Sequence, residues 1–284
     1  MGKNTFISAL LLAVTFLFSL SCEEKTTKGG ERTDFDAIKA IIYENPDIFL
    51  VDVFDTDKDT SVNPVFFREI TSRDFDLDSA RRYDADTSHY FDYIYAAWGD
   101  SMRGVLHYFI DGKEYTKSIY AHSVMGAYFE QWGDVLDPHR GWLLKKITGN
   151  VIASVPTHII PPPVHITSDE VDIWLNEEFI VRNMVKKDSV LRFAPGKKVT
   201  FTVDSDLISN FFLFLHVGED ENFRKTLFVD NGDGTSSASW TTTGDPNIAK
   251  GYKHAFVDAI SWKSVTDTTA EYDSKAWGII YKIK

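Results

Sequence analysis

The chain has 284 residues, a formal net charge of −12 and one cysteine, Cys22. That length allows one large or two ordinary domains. The acidic balance excludes nucleic acid as a partner, because its phosphates need clustered Lys and Arg. A single thiol rules out an internal disulfide, a cysteine-bound zinc or iron–sulfur centre, and with Cys22 committed as described next, thiol catalysis.

Lys3 precedes an apolar run from Phe6 to Leu20 that ends in Ser19-Leu20-Ser21-Cys22. A basic start, a short apolar stretch and small residues before a cleavage point make a secretory signal. The run, about 15 residues, falls short of the roughly 20 that span a bilayer as a helix. With Cys directly after the cleavage point, residues 1–21 resemble a bacterial lipoprotein signal peptide. An ordinary cleaved signal is the competing reading, since Ser21 suits that peptidase too. The lipoprotein resemblance implies that Cys22 becomes the acylated first residue of the mature chain, anchoring it to the outer membrane on the periplasmic face or the cell surface. Two or more acyl chains are what stable anchoring takes.

Residues 22–33 contain no apolar side chain after Cys22 and read as a flexible tether. A first domain is expected over 34–153. Phe35, Ile38, Ile41 and Ile42 fall at helical spacing, with Asp34 as N-cap and Asn45-Pro46 as the stop. Residues 55–89, rich in Asp, Ser, Thr and Arg, read as loop with one short helix. Five strands are then expected, at Tyr90–Trp98, Gly104–Ile110, Lys113–Tyr120, Val124–Trp132 and Gly141–Gly149. Asp111-Gly112 is a type I′ hairpin signal between two of them. One helix followed by a curved antiparallel sheet is an α+β arrangement. With Trp98-Gly99-Asp100 and Gly141-Trp142-Leu143-Leu144 in the strand region, it resembles an NTF2-like cone in which the sheet wraps the helix.

Residues 154–166, with Pro156 and Pro161-Pro162-Pro163, read as a stiff linker. From 167 to 284, short β-rich runs recur between turn clusters, including Phe179–Asn183, and no convincing helix appears. This pattern resembles a bacterial immunoglobulin-like β-sandwich without the paired cysteines of antibody domains.

Chemistry is sparse. Asp55-Thr56-Asp57-Lys58-Asp59 begins like a calcium loop, but Thr60 and Phe66 stand where an EF-hand needs Gly and Glu. Asp230, Asn231 and Asp233 read as turn formers. No His-Glu-x-x-His, Gly-x-Ser-x-Gly or phosphate-binding loop is present. Glu130, Glu177-Glu178 and Glu219 are carboxylates whose separation the sequence does not set. The two Trp-Gly-Asp segments, at 98 and 132, read as structural turns at opposite ends of the sheet. No metal, cofactor or catalytic residue is therefore expected. The reading favoured is a non-enzymatic envelope lipoprotein with a binding or scaffolding role, meeting an envelope protein or a glycan through its aromatic sheets. The alternative is a small-ligand carrier or acid–base enzyme using the cone interior, with Tyr93, His107 and His122 as ligand-binding residues.

Overall fold

The computed structural model describes residues 33–50, 53–54, 62–219 and 223–284. Cys22, the signal segment 1–21, the tether up to residue 32 and the Asp55–Asp59 run lie outside the described residues.

Helix α1 (Asp34–Glu44) starts one residue earlier than the sequence suggests. Thr33 is the N-cap, its Oγ1 accepting from Asp36 N at 3.1 Å while Thr33 N donates to Asp36 Oδ2 at 2.8 Å. This capping box satisfies two amides that the first helical turn leaves without partners. Pro46 then opens a short α2 (Pro46–Phe49), a position where its missing N–H costs nothing.

Three long strands follow: β1 (Phe66–Tyr83), β2 (Tyr93–Ile110) and β3 (Lys113–Gln131), then β4 (Trp142–Ser154). The expected loop at 66–83 is the edge strand β1. The expected strand pairs within 90–110 and 113–132 are single strands, so Trp98-Gly99-Asp100 lies in mid-strand and is no turn. The Asp111-Gly112 turn is as expected, with both residues at positive φ (51° and 77°).

The second half supplies β5 (Val164–Thr167), β6 (Asp172–Leu175), helix α3 (Glu177–Arg182), β7 (Val185–Lys186), β8 (Leu191–Phe193), β9 (Lys198–Asp204) and β10 (Phe211–Gly218). β11 (Phe223–Leu227), β12 (Val229–Asp230), β13 (Thr235–Thr241), β14 (Lys253–Ser261), α4 (Trp262–Thr266) and β15 (Ser274–Ile283) complete it. Residues 179–183, expected as a strand, belong mostly to α3. Asn176 caps it, accepting from Phe179 N at 2.8 Å.

The expected fold class is overturned. The chain is mostly β, with four short helices among the described residues, and it is not an NTF2-like α+β domain followed by an immunoglobulin-like sandwich. One large sheet runs in the order β1-β2-β3-β4-β15-β14-β10-β11, with β7 and β8 attached at its side; a second sheet runs β12-β13-β9-β5-β6. The physical reason is the pairing of β4 with β15, from Ala153↔Lys275 to Asn150↔Gly278. The edge that would be the rim of a cone is hydrogen-bonded to the last strand of the chain.

Alternation divides the large sheet into two faces. Leu213, Leu215, Val217, Ala255, Val257, Trp277, Ile279 and Tyr281 pack against Val164, Ile166, Phe201 and Val203 of the second sheet, forming a sandwich core. The opposite face carries two clusters. Ile38, Ile41 and Ile42 of α1 pack on Ile94, Ala96, Met125, Phe129 and Trp142. Phe54, Phe66, Tyr108, Phe214, Phe256 and Ile260 form the other. The interior imagined for the cone is thus filled by side chains.

Within the last cluster lies a buried ionic network. Arg68 Nη1 donates to Asp258 Oδ2 at 2.7 Å, Nε to the Tyr272 hydroxyl at 2.9 Å and Nη2 to Ser274 Oγ at 3.0 Å. Ser274 Oγ donates to Asp258 Oδ1, and His216 Nε2 lies 3.0 Å from Asp258 Oδ2. Phe54 lies 4.0 Å from the guanidinium. Burial pushes the Asp258 carboxyl up, but the Arg68 charge and the His216 contact outweigh it and hold it well below the usual carboxylate range.

Candidate functional site: the open face of the large sheet

The second sheet covers one half of its side of the large sheet. Val151 of β4 faces the sandwich core, and Val124 pairs with it. The same face continues over β3, β2 and β1, where Tyr95, Arg103, Tyr120, Glu69 and Asp78 are exposed. This half-open face holds all three residues singled out in the sequence, but not inside a cone and not together.

At one end is an aromatic cluster. Tyr83 pairs with Tyr93, and Tyr95 with Tyr128, across three adjacent strands. Their rings lie 4.9 Å apart in both pairs, the first stacked and the second tilted. The imidazole of His89 sits 4.4 Å from the Tyr93 ring. Lys146 and Arg81 lie over Tyr128 and Tyr83, at 4.8 and 5.0 Å. Burial, followed by the charge of Glu130, holds the Tyr128 phenol well above its ordinary range, so it stays protonated. Beyond the strand ends the cluster runs on into Phe91 stacked on Trp132 at 4.5 Å, with Lys145 3.7 Å above the indole. Tyr90, Val135 and Leu136 flank this end, and Tyr90 and Leu136 are about nine-tenths exposed.

In the middle stands a Ser–His–Asp constellation. His122 Nε2 is 2.9 Å from Asp78 Oδ2, and Ser101 Oγ is 3.3 Å from His122 Nδ1. Two features of sequence build it. The register between β1 and β2 shifts between Leu77 and Ser79, leaving Asp78 as the extra residue of a bulge. Opposite it, Gly99 leaves space: a Cβ there would lie 2.4 Å from Asp78 Oδ1. The carboxylate can therefore cross β2 and reach His122 on β3. The order Asp, His, Ser is that of an activated nucleophile. However, β2 is paired on both sides at Ser101, with Asp74 and with His122. Its amides are taken up in the ladders, which provides no preorganised pair of donors for a developing oxyanion.

His107 lies at the far end. It stacks on Phe67 at 4.5 Å and bridges Glu114 (2.6 Å) and Glu69 (3.2 Å). Six residues of strand, roughly 20 Å, separate it from Ser101, and eight, roughly 27 Å, separate Ser101 from Tyr93. Asp78 and Tyr83 are not legible in the sequence because β1 reads as loop, so the bulge and the Tyr83–Tyr93 pair have no frame. Tyr95, Ser101 and Tyr128 escape notice because four short strands are expected where β2 and β3 are two long ones, which hides that Tyr95 pairs with Tyr128 and Ser101 with His122.

The expectations about metals were of absence. Among the described residues no group of three or more His, Cys, Asp or Glu could hold a metal ion. Asp230 and Asp233 are occupied as turn formers, accepting from Gly232 N and Thr235 N at 2.8 and 3.0 Å. No helix of the described residues is long and apolar enough to cross a membrane. Comparison with family models, with curated proteins and with solved structures finds no match to this chain.

Proposed function

We propose that this is a lipid-anchored envelope protein, displayed from Cys22, that docks a protein partner on the open face of the large sheet and performs no catalysis. The observation that carries the reading is the aromatic end of that face. Tyr95, Trp132 and Tyr90 are exposed beside Arg81, Lys145 and Lys146. Tyr, Trp and Arg are the residues that dominate the energetics of protein interfaces. Exposed apolar side chains grouped in this way, beside charge, mark interaction sites. The face is broad and open, whereas small-molecule sites are concave. The anchor rests on Lys3, the apolar run and Cys22, as read from sequence.

The anchor and the docking surface are tested separately on intact cells. Cys22→Ala is expected to abolish labelling by an alkyne-bearing fatty acid; persistent labelling sinks the lipoprotein reading. A photo-crosslinking amino acid at position 95 is expected to capture a discrete envelope protein, and the capture should vanish with Trp132→Ala. If position 95 and a control at Leu207, exposed elsewhere, yield the same cross-linking pattern, the docking reading fails.

A further inference from the structure

A separate site lies where the large sheet divides. β4 and β15 pair from Ala153↔Lys275 to Asn150↔Gly278 and then part. Past that point β4 takes β7 as its neighbour, at Lys146 and Ile147, while β15 takes β8, at Tyr281 to Ile283. In the fork between the two arms is a cavity of about 130 Å³. Ile147 lines it from one arm and Ile279 and Ile280 from the other, while Val190 comes from the start of β8 and Phe179 and Ile180 from α3. None of the lining residues adjoins an undescribed stretch of the chain.

The walls are apolar and fixed from behind. Ile180 and Ile279 belong to the sandwich core, and Ile147, Val190 and Ile280 to the cluster under α1, all of them buried. The strands themselves therefore hold the space open. The polar side chains of the lining offer the interior little. Thr148 Oγ1 accepts from Gly126 N at 2.8 Å and donates to the Gly149 oxygen at 2.7 Å. Asn183 Nδ2 donates to the Phe179 oxygen at 3.0 Å. The mouth is different, because Phe179, Asn183, Val185 and Ser189 are exposed there. An ordered water needs two or more polar partners, and a cavity without them stays dry and accepts apolar guests.

We infer that the fork binds the end of a hydrocarbon chain, carried by an amphiphile whose polar head stays at the mouth. Size sets the first limit. An apolar protein cavity of about 150 Å³ takes up benzene, so the fork has room for about six carbons. Drug-sized molecules need roughly 300 Å³ or more. Chemistry sets the second limit. A sugar or a nucleotide would give up its hydrogen bonds to water and find no replacement on these walls. A metal ion would find no carboxylate, thiol or imidazole among the lining side chains. The mouth sets the third. Asn183 and Ser189 are exposed beside it, which suits a chain that ends in a polar head better than a bare hydrocarbon. The inference depends neither on the docking role of the open face nor on acylation of Cys22.

The test uses the mature chain carrying Cys22→Ala, so that neither its own acyl groups nor detergent competes, with the isoleucine δ1 methyls labelled for nuclear magnetic resonance. Linear primary alcohols from butanol to decanol are titrated in. Saturable shifts are expected at Ile147, Ile180, Ile279 and Ile280, while Ile119 and Ile260, in the cluster around Phe54, stay in place. Affinity should rise about fourfold per added methylene and level off near six carbons, where the chain fills the fork. Val190→Phe, which occupies the space, should remove the shifts. Leu191→Phe, also in the lining, serves the same purpose if the first variant does not fold, and the methyl spectrum itself reports folding. The proposal is overturned if no shift at the four fork isoleucines saturates, if Ile119 and Ile260 shift equally, or if affinity climbs without a break to decanol. A folded filled variant that binds like the parent chain overturns it as well. Should neither variant fold, the chain-length series on the parent chain still decides.

Discussion

His254 and Asp258, four residues apart in β14, are both buried and both titrate unusually. His254 Nε2 donates to the backbone oxygen of Asp47 at 2.8 Å, tying β14 to α2. Burial drives its pKa from 6.5 down to about 4. A histidine with a depressed folded-state value stabilises the protein above its unfolded pKa and withdraws that contribution as pH falls through the interval between the two. Stability is therefore expected to drop by about 3 kcal/mol between pH 6.5 and 4. Denaturant melts across that interval check this, and His254→Gln should flatten the slope. The Asp258 carboxyl, held below the usual range by Arg68, contributes above the ordinary carboxylate pKa and is lost only in stronger acid. Asp258→Ala leaves the Arg68 guanidinium buried without its carboxylate and is expected to cost about 3–5 kcal/mol at neutral pH, measured by chemical denaturation. A double change of Arg68→Met with Asp258→Ala should recover part of that loss, because the stranded charge is gone. The Ser101–His122–Asp78 set is half-exposed and lacks a preorganised oxyanion site. Ser101 is accordingly expected to resist a fluorophosphonate that labels serine nucleophiles, as read by intact-protein mass; stoichiometric labelling would contradict a non-catalytic role.

What the sequence reveals at the level of elements follows local chemistry closely. The Asp111-Gly112 turn, α1 with its Asn45-Pro46 stop and most strands after 185 are legible because turn residues and apolar spacing are local signals. Gly112 sits at φ 77°. Gly112→Val is expected to cost about 1–2 kcal/mol through backbone strain alone, measurable as a lowered melting temperature with β2 and β3 still paired. The strand β1 is illegible for a physical reason. As an edge strand it has one neighbour, and Arg73, Asp74, Asp76, Asp78, Arg81 and Arg82 fill positions that a central strand would give to apolar side chains. Such charge blunts an edge against pairing with other chains, and it also erases the alternation by which strands are recognised. Asp78 was hidden with it. The candidate site was legible only as single residues: Tyr93, His107 and His122 do share a face, but the neighbours that give them roles lie on a strand the pattern conceals. α3 fails differently. Phe179, Ile180 and Val181 have strand character, and the Asn176 cap and packing of Ile180 in the sandwich core override it.

At the scale of the molecule, the pairing of β4 with β15 joins the strands β1 to β4 to the last strand of the chain. It is also the feature no local pattern announces, since it links residues more than a hundred positions apart. The join is close. A Cβ at Gly149 would lie 2.2 Å from the Gly278 carbonyl, and one at Gly278 would meet the Phe256 ring at 2.6 Å. Gly149→Val is expected to force β4 from β15 and destabilise the protein by about 2–3 kcal/mol. Because both halves share one sheet, urea unfolding followed by tryptophan emission and by far-ultraviolet ellipticity is expected to trace a single coincident transition; two separated transitions would show that the halves fold independently. The point where the chain enters the fold has a further consequence. Asp34, at the first turn of α1, is gripped by Arg82 from β1 and by Arg140, whose Nε donates at 2.8 Å. Any tension arriving along the chain from residues before Thr33 is therefore received at a double guanidinium clamp and passed into β1 and into the turn that leads to β4. The helix does not have to unwind to bear the load, and a tethered molecule so held would keep its binding surfaces intact while its attachment is pulled.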